Sequence, residues 1–397
     1  MARVLCVWEQ GGNLGHLSNL RTPLQVAQAL GHDIALAARE LHRIPEVLPG
    51  LRLDLWPAPF KQNVPLASVD RIQCYAELLA MQCFSTAQEL SLYVRAWRSI
   101  FDAVRPDIVF FEHSPTALVA AWAYGFRKVV IGAGFTVPRI DGDGSLLQPF
   151  PTASTAPDAV AQSALHERQL LALINQVHAE QGAPVMETLA ELYTQAPVHA
   201  LMSVPAVDCF GVRPNGLYLG VRPLGISTPP IWPAGNGVRF FGYLANFPGL
   251  PQFLLALEHA GVRGLLFVRN LPTALRERFA GRQLVFLDHL LDLHQVAAQA
   301  DWVVHHGNHA TSAEFSLAGV PQLAIPLHQE HLFCALRLVE QSCGLAAYQD
   351  QESYVAAVQA MNERADLRAG ARAVQEGGIV YDGPRVDRFF RSLLQDL

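Results

Sequence analysis

The stretch ADWVVHHGNHATSAEFSLAGVPQLAIPLHQEH, Ala300 to His331, decides the fold. Its apolar run Trp302-Val303-Val304 stops at His305-His306-Gly307-Asn308. A helix of small residues follows, carries one carboxylate, Glu314, and ends at Gly319-Val320-Pro321. A second apolar run, Gln322 to Ile325, ends in Pro326 and a polar cluster. Strand, turn, helix, strand is one βαβ unit, with its polar residues gathered at the carboxyl ends of the strands. Open α/β sheets bind ligands at that edge. Free N–H groups at the start of the helix, Ala310 to Ser312, attract a phosphate through the helix dipole, so this turn is a candidate diphosphate pocket.

Composition sets the frame around this unit. At 397 residues the chain is too long for one core, and two domains of roughly 200 residues each are expected. With 51% hydrophobic and 16% charged residues it can bury large cores and is not disordered. The formal net charge is −6 with no basic block, so general nucleic-acid or anionic-membrane binding has no electrostatic support. The six cysteines show no zinc-type spacing and no dense framework, which implies reduced thiols in a cytoplasm. MARVLCVWEQGG is too weakly basic and too briefly apolar for a signal peptide. Ala117 to Gly134 is the nearest approach to a membrane span and is broken by Arg127-Lys128.

Strand-like and helix-like patterns alternate twice along the chain. In the first half Val4–Trp8, Ile34–Ala38, Leu51–Trp56, Ile108–Phe111 and Val129–Ile131 read as strands. A helix over Leu17–Leu30 places Leu17, Leu20, Leu24, Ala27 and Leu30 on one stripe. Val69–Val104 is mostly helical, and Phe135–Pro157 is a long loop containing Asp141-Gly-Asp-Gly. Helices follow over Ala159–Glu180 and Val185–Thr194. The Pro- and Gly-rich segment Pro205–Asn236 runs into PPIWPAGNG, the candidate linker. The second half opens with a strand at Val238–Tyr243, and the last helix, Pro384–Leu397, is amphipathic. The expected architecture is α/β, two doubly wound sheets facing a cleft.

Two constellations in the first half carry chemistry. GGNLGH, Gly11 to His16, follows the first strand directly, and its glycines allow close approach to a ligand. The loop lacks the Lys-Ser/Thr of a P-loop and does not match GxGxxG. His16 opens a helix, where the dipole disfavours imidazolium and leaves a neutral ring suited to general-base work; a histidine that only caps the helix is the other reading. In PDIVFFEHSPTALVAAWAYG, Glu112 and His113 stand at the end of a strand. Glu112 either orients His16 and stabilises its protonated form, or else Glu112 or His113 caps the helix that follows or is solvated.

HHGNHATSAE with AGVPQLAIPLHQEH resembles the donor-binding signature of glycosyltransferase family 1, which includes the UDP-glycosyltransferases and macrolide glycosyltransferases. His306, Gly307, Thr311 or Ser312, Glu314, Gly319, Pro321, Pro326 and Glu330 fall on that pattern at the same spacing. GGNLGHLSNLRTPLQVAQALGHDIALAARE is similar to the family's amino-terminal G-H segment, and VRFFGYL to its entry into the second half. Asn308 and Ala310 replace small glycine-type positions, His331 replaces the usual Gln, and no Pro follows His16 until Pro23. FLDHLLDLHQ lacks the family's aromatic-Pro-Gln segment.

The resemblance implies a GT-B fold. Residues 1–232 form an acceptor-binding domain, 233–380 a nucleotide-sugar-binding domain, and 381–397 a helix returning to the first. It further implies an inverting transferase moving a sugar from a UDP- or dTDP-sugar to a hydroxyl of a small, largely apolar acceptor. His16 is the base and Glu112 its support. His306, Gly307, Asn308, Thr311 and Ser312 hold the diphosphate, Glu314 the ribose, and Glu330 and His331 the sugar hydroxyls. Gly12, Asn13, His113 and Phe135 contact the acceptor, with Trp8, Phe60, Tyr75, Phe84, Trp97 and Phe150 as further candidate walls. The alternatives are a transferase acting on a lipid-linked or sugar acceptor, for which no exposed basic-apolar patch is evident, and a non-catalytic nucleotide-sugar-binding homologue. No cofactor is expected. His305, His306, His309, His328 and His331 cluster in sequence, but no Asp or Cys completes a ligand spacing, so no metal is expected either.

Overall fold

The computed structural model describes residues 1–12, 14–62, 72–140, 147–223, 225–281, 283–348 and 351–397. Asn13 and the Asp141-Gly-Asp-Gly turn lie outside the described residues. The chain forms two compact units. One comprises Met1–Met202, Arg213–Arg222 and Tyr381–Leu397, the other Ser203–Val212 and Pro223–Val380. The second unit thus takes Ser203–Val212 from the expected first domain and runs on from Pro223, ten residues ahead of the expected start at 233. PPIWPAGNG does not hang free: the Trp232 indole donates to Gln299 Oε1 at 3.0 Å, and Arg263 donates to the Pro233 and Gly237 carbonyls.

The first unit is built on seven parallel strands: β1 (Arg3–Trp8), β2 (Asp33–Ala38), β3 (Asp54–Pro57), β4 (Ile108–Glu112), β5 (Arg127–Gly132), β6 (Val198–Leu201) and β7 (Leu217–Tyr218). Their order is β3-β2-β1-β4-β5-β6-β7. RVLCVW and IVFFE are buried on both faces, which is why they read as unbroken apolar runs. The chain winds outward from β1 through β2 to β3, then restarts on the other side at β4. The switch point therefore lies between β1 and β4, where Trp8 pairs with Glu112. Around this sheet lie α1 (Leu14–Ala29), α2 (Tyr75–Ala80), α3 (Ala87–Val104), α4 (Pro115–Ala121) and α5 (Pro157–Glu180). Helix α1 runs through Pro23, its stripe of Leu17, Leu20 and Leu24 fully buried.

The second unit repeats the scheme with β8 (Arg239–Ala245), β9 (Arg263–Arg269), β10 (Leu284–Leu287), β11 (Trp302–His305), β12 (Gln322–Ala324) and β13 (Gly344–Ala346). All pairs are parallel, in the order β10-β9-β8-β11-β12-β13, so its switch point falls between β8 and β11, where Tyr243 pairs with His305. Helices α6 (Leu293–Ala297), α7 (His309–Leu317) and α8 (Gln329–Glu340) adjoin that edge. The carboxyl-terminal helix α9 (Gly383–Leu394) belongs to the first unit. It buries Val386, Phe390 and Leu394 against the core that holds Leu17, Leu20 and Leu24.

Candidate active site

In the first unit the switch point presents an imidazole and a carboxylate. His16 Nδ1 lies 2.7 Å from Glu112 Oε2, and Asn19 Nδ2 donates to Glu112 Oε1 at 3.2 Å. Glu112 is fully buried, while His16 keeps part of its ring open to solvent. A carboxylate only accepts, so Nδ1 carries the hydrogen and the lone pair of a neutral ring sits on Nε2. His16 stacks between Trp8 (centroids 5.3 Å apart) and His113 (5.7 Å). Gly11 has φ +78°, and a Cβ there would overlap His16 Nε2, so the ring can lie where it does only against glycine. Gly12 stands next to it, beside Glu40.

His113 adopts the left-handed conformation, φ +40°, and burial pushes its imidazole down to about 3. Phe135 meets His113 edge-on at 6.3 Å and stacks on Phe150, which in turn meets Tyr75. Three other expected walls sit differently. Phe84 and Trp97 are core residues, Trp97 donating to Thr116 Oγ1 at 3.0 Å, whereas Phe60 is exposed beneath Arg39.

Sequence reasoning did not single out Glu9 or Asn19. Glu9 is fully buried and accepts from the N–H of Thr116 (3.1 Å) and Ala117 (3.2 Å) and from Thr116 Oγ1 (2.7 Å), so it, rather than Glu112, holds the start of α4. Burial raises its carboxyl to about 7 against those hydrogen bonds. The signal for Asn19 was its spacing, one turn after His16 on the same face of α1.

In the second unit the turn after β11 is tied on all sides. The Gly307 N–H donates to His305 Nδ1 at 2.9 Å, which leaves Nε2–H to donate to Gln322 Oε1 at 2.8 Å. Gln322 Nε2 donates onward to the Ser312 carbonyl and Ser316 Oγ of α7. The Ala245 N–H donates to His306 Nε2 at 2.8 Å, so its Nδ1–H donates to the Ile325 carbonyl, also at 2.8 Å. Both nitrogens of His306 thus bind backbone and the ring is buried, which corrects the expectation that this imidazole itself holds the diphosphate. Burial lowers both rings to about 4 and keeps them neutral.

Gly307 has φ +93°, and a Cβ there would overlap the His331 carbonyl, so glycine lets the starts of α7 and α8 come together. Asn308 precedes α7 without capping it, and its side-chain amide donates instead to His331 Nε2 at 3.2 Å. Helix geometry supplies no partner for the N–H groups of His309, Ala310 and Thr311. The Ser312 N–H, expected in that set, goes to the Asn308 carbonyl at 2.9 Å, and its side chain is fully buried. As the Asn308 amide is placed, His331 Nδ1 bears a hydrogen, and this buried atom has no partner. Burial, aided by His328 and His306, holds that imidazole well below its ordinary range. Glu314, half-buried one turn into α7, is raised by burial and pulled back by His294 at the start of α6. Glu330 is half-exposed on the first turn of α8.

No protein-family model and no curated protein matches the chain. Solved structures do match over nearly its whole length. The glycosyltransferase SnogD from Streptomyces nogalater is 18% identical with a TM-score of 0.60, the match covering 94% of each chain. CalG4, the calicheamicin glycosyltransferase, is 14% identical with a TM-score of 0.68, covering 100% of this chain and 98% of its own. The spinosyn rhamnosyltransferase SpnG, complexed with thymidine diphosphate, is 16% identical with a TM-score of 0.65, covering 98% of this chain and all of its own. The likeness is one of fold: two doubly wound domains, the GT-B architecture on which these glycosyltransferases are built.

Proposed function

We propose that the protein is an inverting glycosyltransferase that moves a sugar from a dTDP- or UDP-sugar to a hydroxyl of a small, largely apolar acceptor. The observation that carries this reading is the His16–Glu112 pair at the β1/β4 switch point. A neutral imidazole backed by a carboxylate is a general base. His16 Nε2 takes the proton of the acceptor hydroxyl as its oxygen attacks the anomeric carbon. Glu112 stabilises the imidazolium that forms, and the nucleoside diphosphate leaves from the opposite face, which inverts the anomeric centre. Phe135 and the rings behind it supply the apolar wall for the acceptor.

The leaving group's growing charge falls to the N–H groups of His309, Ala310 and Thr311, where the helix dipole adds to direct hydrogen bonds. Glu314 accepts from the ribose hydroxyls, and the Nδ1–H of His331, with Glu330, meets the sugar. SpnG with thymidine diphosphate supports a dTDP-sugar as the first donor to try.

Purified protein is given dTDP- and UDP-hexoses with a panel of hydroxylated polycyclic aglycones, and free nucleoside diphosphate is measured. Turnover is expected with at least one pair, giving the anomer opposite to the donor's. His16→Ala should lower it by about 10²–10⁴-fold while leaving nucleotide affinity unchanged. Retention of the donor's configuration, or full activity in His16→Ala, contradicts the mechanism.

A further inference from the structure

Away from that chemistry, the first unit brings three metal-ligating side chains to one point. Cys74 Sγ, a carboxylate oxygen of Glu77 and a ring nitrogen of His166 all lie within 4.8 Å of one another. We propose that Cys74, Glu77 and His166 form a site for a single zinc-class divalent cation, pinning α2 to α5.

The surroundings are those of a prepared ligand set. Cys74 precedes α2 in extended backbone, φ −144°, and its side chain does not cap that helix. Glu77 stands three residues on and faces the same side. Its Oε2 accepts from the Gln73 N–H at 2.7 Å, which leaves Oε1 turned towards His166 Nδ1, also 2.7 Å away. The other ring nitrogen of His166 lies 2.9 Å from the amide of Gln162, one turn earlier on α5. A group on the outer nitrogen of a ligating histidine fixes its tautomer and orientation. Gln73 in turn accepts from the Ser154 N–H at 2.6 Å.

A hydrogen now bridges Glu77 and His166, and the cation takes its place. The thiol loses its proton to solvent, the imidazole carries its hydrogen on Nε2, and the Gln162 amide turns its oxygen to accept it. One thiolate and one carboxylate then balance the two positive charges. Thiolate, imidazole and carboxylate are zinc's three ligand types, with bonds of about 2.0–2.3 Å, and water fills the fourth position. Such a tie orders α2, whose Tyr75 packs edge-on against Phe150 and Tyr193.

The test is a titration of the metal-stripped full chain with Co²⁺, read by absorption. A cysteine-bound tetrahedral ion gives a thiolate-to-metal band in the near ultraviolet together with visible d–d bands. One equivalent is expected to saturate both, and Zn²⁺ should bleach them. Cys74→Ser should remove the near-ultraviolet band. His166→Gln, at a half-exposed position, should weaken binding at least tenfold while the circular dichroism spectrum stays that of the wild type. No thiolate band in the wild-type protein, or one that survives Cys74→Ser, overturns the site.

Discussion

At the scale of single residues, the candidate site depends on what surrounds two carboxylates and one imidazole. Gly11 is the sharpest case, since a methyl group there meets His16 Nε2 and the backbone is left-handed. Gly11→Ala is expected to lower transfer at least a hundredfold and to leave nucleotide affinity unchanged. Paired kinetics and nucleotide titration check this. Glu9 makes a prediction of opposite character, about stability rather than rate. Its carboxyl, with an ordinary value of 4.5, is raised to about 7 in the fold, so the folded chain holds that proton more tightly than the unfolded one. The cost of keeping it ionised therefore grows as pH rises from 4.5 to 7 and is complete above that. Glu9→Gln retains an acceptor for the α4 N–H groups, and its melting temperature should exceed the wild type's at pH 8 but not at pH 4.

At the scale of elements, α7 and the turn before it form one tied unit. The Gly307 N–H, His305, Gln322 and the Ser312 carbonyl are joined in series and buried. Gln322→Leu leaves the His305 Nε2–H buried without a partner and should cost about 1–3 kcal/mol, read from the urea midpoint. Gly307→Ala forces the starts of α7 and α8 apart and should abolish nucleotide binding before it unfolds the chain; calorimetric titration beside circular dichroism separates the two. Much of this was legible. β11, α7 and β12 were written in two apolar runs around a small-residue helix, because buried parallel strands need apolar side chains on both faces. The short strands β6, β7 and β13 were not, since VHAL, LY and GLA carry no apolar run that stands out from loop, and β10 was missed although LVFL is as apolar as β11. Only Glu191–Thr194 of the expected Val185–Thr194 helix forms. The role of His306 was hidden for another reason. Its partners, Ala245 and Ile325, are backbone atoms sixty-one and nineteen residues away, and no side-chain spacing reports them.

At the scale of the whole molecule, buried histidines set the pH at which the fold holds. His305 and His306 titrate at about 4 and His113 at about 3, each below the ordinary 6.5 because burial disfavours the charged ring. A depressed histidine leaves its stability intact above about pH 6.5 and forfeits it as pH falls towards 4. At full protonation these shifts are worth on the order of 3 kcal/mol each for His305 and His306 and about 5 for His113. Glu9 and Glu314, raised by burial, act in the other direction, but His331 and further buried histidines add to these three, so the urea midpoint should fall steeply between pH 6.5 and 4.5. Helix α9 closes the first core with Val386, Phe390 and Leu394. The amphipathic stripe of its sequence announced a buried face without naming the partner it packs on. What joins these scales is the claim that a nucleoside diphosphate sits at the uncapped start of α7. The most direct test is calorimetric titration of dTDP and thymidine into the wild-type protein and His16→Ala. The account predicts one-to-one dTDP binding to both proteins, with thymidine at least a hundredfold weaker; dTDP binding no tighter than thymidine would contradict it.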